Sequence, residues 1–217
     1  MKQGNLFDDD AFKPPTPNPK ETKYALKKQA IPFDVSVRIP LLFRTIIRFS
    51  GTGHRPDKLG GYHKLEQSGG IVVPYLIRYL INCHAAMATD PSDRIVVISG
   101  LAQGWDTWLL EAALASGVCY TVAACPCPGQ ESPWPARAQE KYRGLIEQVD
   151  KYVLVCDSYD YDAMQLRNEY MVDESDVVLA MWNGTKGGTH NCIKYADRVN
   201  RDIFNFWSEL APLLDLA

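Results

Sequence analysis

Four glycine-rich stretches carry the polar side chains that are best suited to hold a small anionic ligand. They read SGTGHRP (50–56), SGLAQGWD (99–106), PCPGQE (126–131) and WNGTKGGT (182–189). Glycine lets backbone N–H groups approach a ligand closely, and the N-terminus of a following helix favours negative charge. One such loop is equally explained by a tight turn between a strand and a helix. Four of them at one edge of a sheet indicate a ligand site.

Several side chains in these stretches have a second interpretation. Arg55 is suited to pair with a phosphate through two hydrogen bonds, although a surface salt bridge is the alternative. Asp106 is expected either to contact a ribose hydroxyl or to complement the dipole of its own helix. Arg167 and Asn168 lie in a predicted helix and either face the ligand or belong to a solvated helix face. Gly187 and the two residues after it precede another predicted helix, as in a phosphate cradle.

Strand-like and helix-like segments alternate from residue 44 onward. The predicted strands are 45–50, 94–99, 119–125, 151–155, 176–181 and 202–206, and the predicted helices are 68–87, 103–116, 135–149, 161–173 and 189–199. Pro74 is expected in the first turn of the first helix, where proline is tolerated. The alternation predicts right-handed βαβ units and a Rossmann-like α/β sandwich of three layers with a mostly parallel sheet. In such a sheet, ligands bind beyond the carboxyl ends of the strands, where all four stretches lie.

The composition restricts the classes of partner. The 217 residues are 46% hydrophobic and 23% charged, which is typical of a globular protein, and the net charge is −3. Because there is no basic surplus, binding to extended duplex nucleic acid is not expected. The sequence has no apolar run of about 20 residues, and its N-terminus does not resemble a signal peptide. We therefore expect a cytoplasmic protein with no membrane contact and with six reduced cysteines.

The first 43 residues differ from the rest and are predicted to form an extended, proline-rich N-terminal tail before a domain at 44–217. Residues 8–22 are interpreted as a linker, whereas 23–43 are ambiguous and include apolar residues suited to a docking arm. Gln3, Leu6 and Phe7 resemble the peptide by which bacterial replication proteins dock on the sliding clamp. A chance match, or docking of Leu6 and Phe7 on the domain itself, is the alternative.

Longer motifs resemble one family. They are SGTGHRPDKLGGY (50–62), SGLAQGWDTWLLEAAL (99–114), PCPGQESPWP (126–135), MQLRNEYMVDESDVVLAMWNG (164–184) and GGTHNCIKYA (187–196). In order and spacing they resemble the YpsA-like branch of the SLOG superfamily, which also contains the DprA and LOG (cytokinin-activating) proteins. The resemblance covers about residues 45–206.

The resemblance implies a Rossmann-like domain that binds a nucleotide or a nucleotide-derived ligand. Members of the superfamily include sensors of NAD-derived signals and enzymes that cleave the N-glycosidic bonds of nucleotides, and many are homo-oligomers. The predicted ligand-binding residues are Gly51, Thr52, Gly53, His54, Arg55, Gly100, Gln103, Gly104, Asp106, Arg167, Asn168, Gly187, Gly188, Thr189 and Asn191.

One departure from the family pattern bears on catalysis. The LOG enzymes follow their glycine-rich turn with a glutamate needed for cleavage, whereas Cys192 stands at that place here. Cleavage of a glycosidic bond requires a carboxylate, and Glu131 and Asp106 are the candidates to supply one. We therefore favour a protein that binds ADP-ribose, another NAD-derived molecule or a cyclic nucleotide signal, as a sensor or to sequester it. A nucleotide N-glycosidic hydrolase and a clamp-binding replication protein are the alternatives. A zinc site is not expected, because the spacing of the cysteines does not match a four-ligand zinc pattern.

Overall fold

The computed structural model describes residues 44–216, and within them strands and helices alternate along the chain. The strands are β1 (Thr45–Gly53), β2 (Arg94–Ser99), β3 (Cys119–Cys125), β4 (Lys151–Leu154), β5 (Val177–Met181) and β6 (Asp202–Asn205). The helices are α1 (Tyr62–Met87), α2 (Trp105–Ser116), α3 (Ala136–Ile146), α4 (Ala163–Asp173), α5 (Gly188–Arg198) and α6 (Trp207–Leu210). Short 3-10 turns lie at Pro56–Lys58 and Pro212–Leu214.

The strands form one sheet in the order β4-β3-β2-β1-β5-β6, and every neighbouring pair is parallel. The chain moves outward from β1 through β2 and β3 to β4, and then crosses to the other side of β1 to add β5 and β6. The Rossmann-like architecture is thus confirmed. Because all strands run the same way, the loops that follow them meet at one edge.

Two hydrophobic layers hold the helices on the sheet. On one face, Leu76 of α1 and Trp105 of α2 pack with Val97 of β2, and all three are fully buried. On the other face, Met171 of α4 packs against Val96 and its neighbours. Alternate residues of β2 therefore point into opposite layers, as the two-residue period of a strand requires. Burying each such side chain contributes about 1.5–3 kcal/mol to stability.

The first helix is longer than the sequence analysis predicts. It begins at Tyr62, just after two glycines with positive φ, Gly60 and Gly61, which turn the chain into it. Pro74 consequently lies in the middle of the helix and not in its first turn, so that prediction is wrong. The site tolerates proline because Pro74 is on the exposed side of α1, where water can satisfy the carbonyl that loses its N–H partner.

Strand β1 is also longer than predicted, because it continues through Gly53 and pairs with β5 as far as Met181. Gly51 and Gly53 are thus strand residues, where the sequence analysis placed a loop. A Cβ at Gly53 would lie 2.4 Å from Cβ of Trp105, and one at Gly51 would lie 2.7 Å from Cδ2 of Leu109. The two glycines allow α2 to lie close against the strand.

Helix α1 is long and apolar enough to cross a membrane by length and composition alone. Its Val72, Leu76 and Leu80 are nevertheless fully buried in the core that α1 shares with the sheet. These three residues pack α1 onto one face of the sheet.

Candidate functional site

Buried polar side chains gather beyond the carboxyl ends of β2 and β3. We call this group the inner polar cluster; it consists of Ser99, Gln103, Asp106, Gln130, Arg167 and Asn168, each at most 9% exposed. Buried polar groups cost stability unless they are hydrogen-bonded or charge-paired. The members of this cluster, which lies next to the glycine-rich stretches, therefore need hydrogen-bond or charge partners.

Arg167 is the centre of the inner polar cluster. It extends from α4, on one face of the sheet, to the end of β2, where its Nη1 donates a hydrogen bond of 2.5 Å to the carbonyl of Gly100. Its Nε donates to Oδ1 of Asn168 at 3.0 Å. A Cβ at Gly100 would lie only 1.8 Å from Nη1, so glycine is required for this approach. Arg167 thus does not belong to a solvated helix face.

Asp106 lies in the first turn of α2, on the opposite side of the sheet from α4, and is 5% exposed. Burial raises the pKa of its carboxyl to about 6, while the guanidinium groups of Arg167 and Arg55 and the backbone N–H of Ala102 oppose the rise. A carboxyl with that pKa exchanges protons near neutral pH, which is a property of acid–base groups in active sites. Asp106 therefore lies where a carboxylate complements the dipole of α2, and it also belongs to the inner polar cluster.

Two glutamines complete the cluster. Nε2 of Gln130 donates to the carbonyl of Gly100 at 3.3 Å, so this carbonyl accepts from both Gln130 and Arg167. Oε1 of Gln103 is buried, and it has no hydrogen-bond partner among residues 44–216. An unsatisfied buried acceptor is costly, and a donor on a ligand would remove that cost. Gln130 is not among the predicted site residues, although it stands in one of the four glycine-rich stretches.

A second group, which we call the outer rim, surrounds the start of α5 and contains Arg55, Lys58, Lys186 and Gly187–Thr189. Nζ of Lys58 donates to Oγ1 of Thr185 at 3.2 Å and to the carbonyl of Lys186 at 3.3 Å. The hydroxyl of Thr189 donates to the carbonyl of Gly53 at 2.9 Å, which ties α5 to β1. A Cβ at Gly188 would meet open space. Asn191, in the first turn of α5, is exposed.

His54 ties the ends of β1 and β5 together and is 3% exposed. Nε2 of His54 lies 3.1 Å from the backbone N of Asn183 and 2.7 Å from Oδ1 of the same residue; it accepts from the N–H when unprotonated and donates to Oδ1 when protonated. Burial lowers the pKa of His54, and the hydrogen bond to Asn183 opposes this. The imidazole is therefore a structural link. Asn183, its partner, was missed because nothing in sequence spacing joins positions 54 and 183.

Gly104 and Thr52 contact residues next to the site and help to place them. Gly104 has φ of +96°, and a Cβ there would lie 2.6 Å from the carbonyl oxygen of His54. Thr52, inside β1, hydrogen-bonds the Cys192 thiol. Burial raises the pKa of that thiol to about 12, which disfavours the reactive thiolate form.

The two carboxylate candidates differ in position. Asp106 lies inside the inner polar cluster, whereas Oε1 of Glu131 lies 3.7 Å from Nε of Arg143 on α3. Among residues 44–216, no three His, Cys, Asp or Glu side chains are grouped so that they could hold a metal ion. Gln3, Leu6 and Phe7 lie outside the described residues.

Comparisons with known proteins agree with this architecture. The model of the YpsA family, described as the YspA SLOG family, matches residues 50–203. The uncharacterized SPbeta prophage-derived protein YoqJ of Bacillus subtilis (strain 168) is 32% identical over 89 residues, which are 36% of this chain and 52% of that protein.

Two solved structures match this chain, and the first of them is similar in fold. DNA processing protein A (DprA) from Streptococcus pneumoniae has a TM-score of 0.53 at 18% identity, and the match covers 78% of this chain and 56% of that one. A structure of DNA processing protein A from Helicobacter pylori, described for its single-stranded DNA binding mode, has a TM-score of 0.49 at 19% identity, covering 74% and 65% of the two chains. The chain spans about half the length of the Bacillus and Streptococcus proteins that it matches.

Proposed function

Because the chain belongs to the YspA SLOG family, we propose that it binds a nucleotide or nucleotide-derived ligand at the carboxyl edge of its sheet. The observation that carries the proposal is the proximity of two kinds of group at this edge, since Arg55 of the outer rim lies close enough to Asp106 of the cluster to oppose the rise of its pKa. The buried polar side chains of the inner polar cluster thus lie near exposed Arg55, half-buried Lys58 and the exposed Gly188 of the outer rim. A nucleotide needs both, since its phosphate is charged and its ribose and base require directed hydrogen bonds.

The phosphate is assigned to the outer rim. Gly187 is the N-cap residue of α5, and no side chain within residues 44–216 makes a cap hydrogen bond there, so the first backbone N–H groups of α5 are available to bind an anion. Gly188 leaves space for the phosphate to approach them. Arg55 and Lys58 are both placed by the short turn after β1 and supply positive charge.

The ribose or the base is assigned to the inner polar cluster. Oε1 of Gln103 is a buried acceptor that has no donor among residues 44–216, and the carboxylate of Asp106 is a second acceptor when it is ionised. Ribose hydroxyls and exocyclic amino groups are donors of the required kind. The carbonyl of Gly100 is held by Arg167 and Gln130, so the loop that carries Gln103 is already ordered.

The ligand class that we favour is ADP-ribose, another NAD-derived molecule or a cyclic nucleotide, bound in the cytoplasm by a sensor or sequestering protein. A homo-oligomer is expected as the working form. The name DNA processing protein A, carried by a protein of similar fold, makes DNA a ligand class that the same experiment should include.

A thermal-shift screen of the full chain against nucleotides, NAD, ADP-ribose, cyclic nucleotides and a short single-stranded oligonucleotide tests the proposal. A ligand at 100 times its Kd stabilises the folded state by about 2.7 kcal/mol. Gly188→Trp should abolish the shift, because the indole fills the space over the start of α5. Gly144→Trp is the matched control, since Gly144 also faces open space but lies on α3, away from the site.

Either of two results would refute the assignment. One is a flat screen with every compound. The other is a ligand whose shift survives in the Gly188→Trp variant, because that ligand would bind somewhere other than the outer rim.

One observation favours a second candidate function, hydrolysis of a nucleotide N-glycosidic bond. Asp106 is buried, and its pKa of about 6 allows it to accept a proton from an attacking water or to stabilise positive charge on the ribose. In this reaction water adds to the anomeric carbon while the C–N bond breaks, and the base leaves with a proton. Release of free base by the wild type but not by Asp106→Asn, with ligand binding retained, would establish it. Binding without release would leave the first function.

A further inference from the structure

The loop between β2 and α2 carries two hydrogen-bond acceptors within one short stretch. Gln103 and Asp106 lie on either side of Gly104, the N-cap residue of α2. Oε1 of Gln103 is buried and has no donor within residues 44–216, and Gln103 as a whole is 9% exposed. The carboxylate of Asp106 accepts from the backbone N–H of Ala102. Because a carboxylate has room for about four hydrogen bonds, Asp106 retains acceptor capacity beyond this one.

The backbone around these acceptors is held by hydrogen bonds on both sides. The hydroxyl of Ser99 donates to the carbonyl of Asp106 at 2.7 Å and accepts from the backbone N–H of Leu101 at 3.1 Å. The backbone N–H and the hydroxyl of Thr107 both donate to the carbonyl of Ala102, at 3.2 and 2.9 Å. Leu101 is buried with φ of +53°, a conformation that persists in a non-glycine residue only where its surroundings fix it. The two acceptors are therefore presented by an ordered loop.

The same loop contacts the residues that lead into the outer rim. A Cβ at Gly104 would lie 2.6 Å from the carbonyl oxygen of His54 and 3.5 Å from Cα of Arg55. The backbone N–H of Trp105 donates to that carbonyl at 3.4 Å. In a nucleotide the ribose directly follows the phosphate, and the base comes after the ribose. A ligand whose phosphate is bound by Arg55 therefore meets the two acceptors with its ribose.

Two acceptors require two donors, and the ribose of a ribonucleotide supplies both. Its 2′- and 3′-hydroxyls are on adjacent carbons, and each donates one hydrogen bond. A 2′-deoxyribose lacks one of these donors. Inside a nucleic-acid strand, and in a 3′,5′-cyclic nucleotide, the 3′ oxygen is esterified and cannot donate. A site with buried acceptors discriminates against a ligand that leaves one of them unpaired.

We propose that Gln103 and Asp106 bind the 2′,3′-diol of a ribose, so that the site selects ribonucleotides in which both hydroxyls are free. Among the ligand classes named above, this selection retains ADP-ribose and other NAD-derived molecules that keep the diol. It excludes 3′,5′-cyclic nucleotides and the interior of a DNA strand. The inference rests on the proposed function, because it needs a nucleotide phosphate at the outer rim.

Calorimetric titration of the full chain with four mononucleotides tests the proposal. AMP and IMP both have the diol and differ in the exocyclic amino group of the base, whereas 2′-deoxy-AMP and 3′-deoxy-AMP each lack one hydroxyl. AMP and IMP should bind with similar Kd values. Each deoxy analogue should bind at least about tenfold more weakly, because one buried acceptor then stays unpaired.

Gln103→Met removes one acceptor while keeping a similar side-chain volume. The preference for AMP over one of the two deoxy analogues should disappear in this variant, since the hydroxyl that the analogue lacks no longer has a partner. The preference over the other analogue should remain. A thermal melt without ligand checks that the variant folds, and the four titrations of the wild type decide the question if it does not.

Gln148→Met is the matched control for this variant. Gln148 is exposed and lies between α3 and β4, at the edge of the sheet opposite the site. The same substitution there should leave the Kd values of all four mononucleotides at their wild-type levels.

Three results would overturn this inference and leave the proposed function standing. One is equal affinity for AMP and both deoxy analogues, with all binding lost in Gly188→Trp. Another is binding of AMP without binding of IMP, which assigns the acceptors to the exocyclic amino group. The third is a Gln103→Met variant that keeps both preferences. Absence of binding by AMP and IMP also overturns the inference, and it overturns the proposed function as well if the thermal-shift screen is flat.

Discussion

The inner polar cluster and the outer rim lie at the same edge of the sheet but differ in how they are built. Arg167, at 4% exposure, is held by two hydrogen bonds, whereas Gly188 has open space where a side chain would be. Arg167 is therefore part of the folded core, whereas the start of α5 is an open surface. A change at Arg167 should act mainly on stability, whereas a change at Gly188 should act mainly on binding.

The largest expected effect is that of Arg167→Met. Methionine fills a similar volume but leaves the carbonyl of Gly100 and the carboxyl of Asp106 without their charged neighbour. Removing one partner of a buried charged network typically costs about 3–5 kcal/mol of unfolding free energy. Urea denaturation measures this loss. Arg137→Met is the control, since the ion pair of Arg137 with Glu66 is 81% and 74% exposed and such surface pairs contribute at most about 1 kcal/mol. Equal losses in both variants would remove the distinction between core and surface.

The next effect is a pH dependence that comes from Asp106. Its pKa is raised to about 6 in the folded state, from 3.8, so the folded state binds this proton more tightly than the unfolded state does. The resulting stabilisation is complete below pH 3.8, declines as the pH rises to about 6, and is absent above it. A difference of about two pKa units corresponds to about 3 kcal/mol.

Asp106→Asn isolates this dependence, because an amide does not titrate. The lowered pKa of buried His54 produces the opposite slope below pH 6.5, but it does so in both proteins and cancels in their difference. Unfolding free energies should be measured from pH 4 to pH 8. Parallel curves for the two proteins would show that Asp106 titrates normally.

A smaller loss is expected for Gly100→Ala. The new methyl group would lie 1.8 Å from Nη1 of Arg167, so the guanidinium has to move away from the carbonyl that it binds. Overpacking of this kind costs about 1–3 kcal/mol. In the double variant with Arg167→Met, the two losses should not add, since the clash disappears with the guanidinium. Additive losses would mean that the two residues do not contact each other.

The smallest effect is expected for Gly188→Ala, the same change made in the outer rim. The Cβ meets open space, so the unfolding free energy should stay within about 0.5 kcal/mol of the wild type, as is usual for surface substitutions. Alanine is also a better helix former than glycine. A loss as large as that of Gly100→Ala would show that the rim is packed in solution.

Much of the fold and of the edge could be predicted from the sequence, because the relevant signals are local. Continuous apolar runs such as CYTVAAC predicted buried strands, and β3 has the predicted bounds. Where the signal was not local, the prediction failed. Gly51–Gly53 read as a loop because their glycines resemble turn residues, whereas these residues continue β1 and make space for Trp105 and Leu109. The start of α1 was predicted wrongly because Pro74 was expected in the first turn. The helix tolerates Pro74 in its middle because this residue lies on the exposed side, which only the packing decides.

The candidate residues show the same division. That four glycine-rich stretches meet at one edge could be predicted from the sequence alone, because parallel strands alternating with helices bring the segments at their carboxyl ends together. Only the tertiary structure decided that Arg167 crosses from α4 to the end of β2, that Asn183 holds His54, and that Gln130 joins the cluster. These contacts join residues that are 30 to 129 positions apart. Their geometry depends on how the layers pack, and no spacing in the sequence encodes that packing.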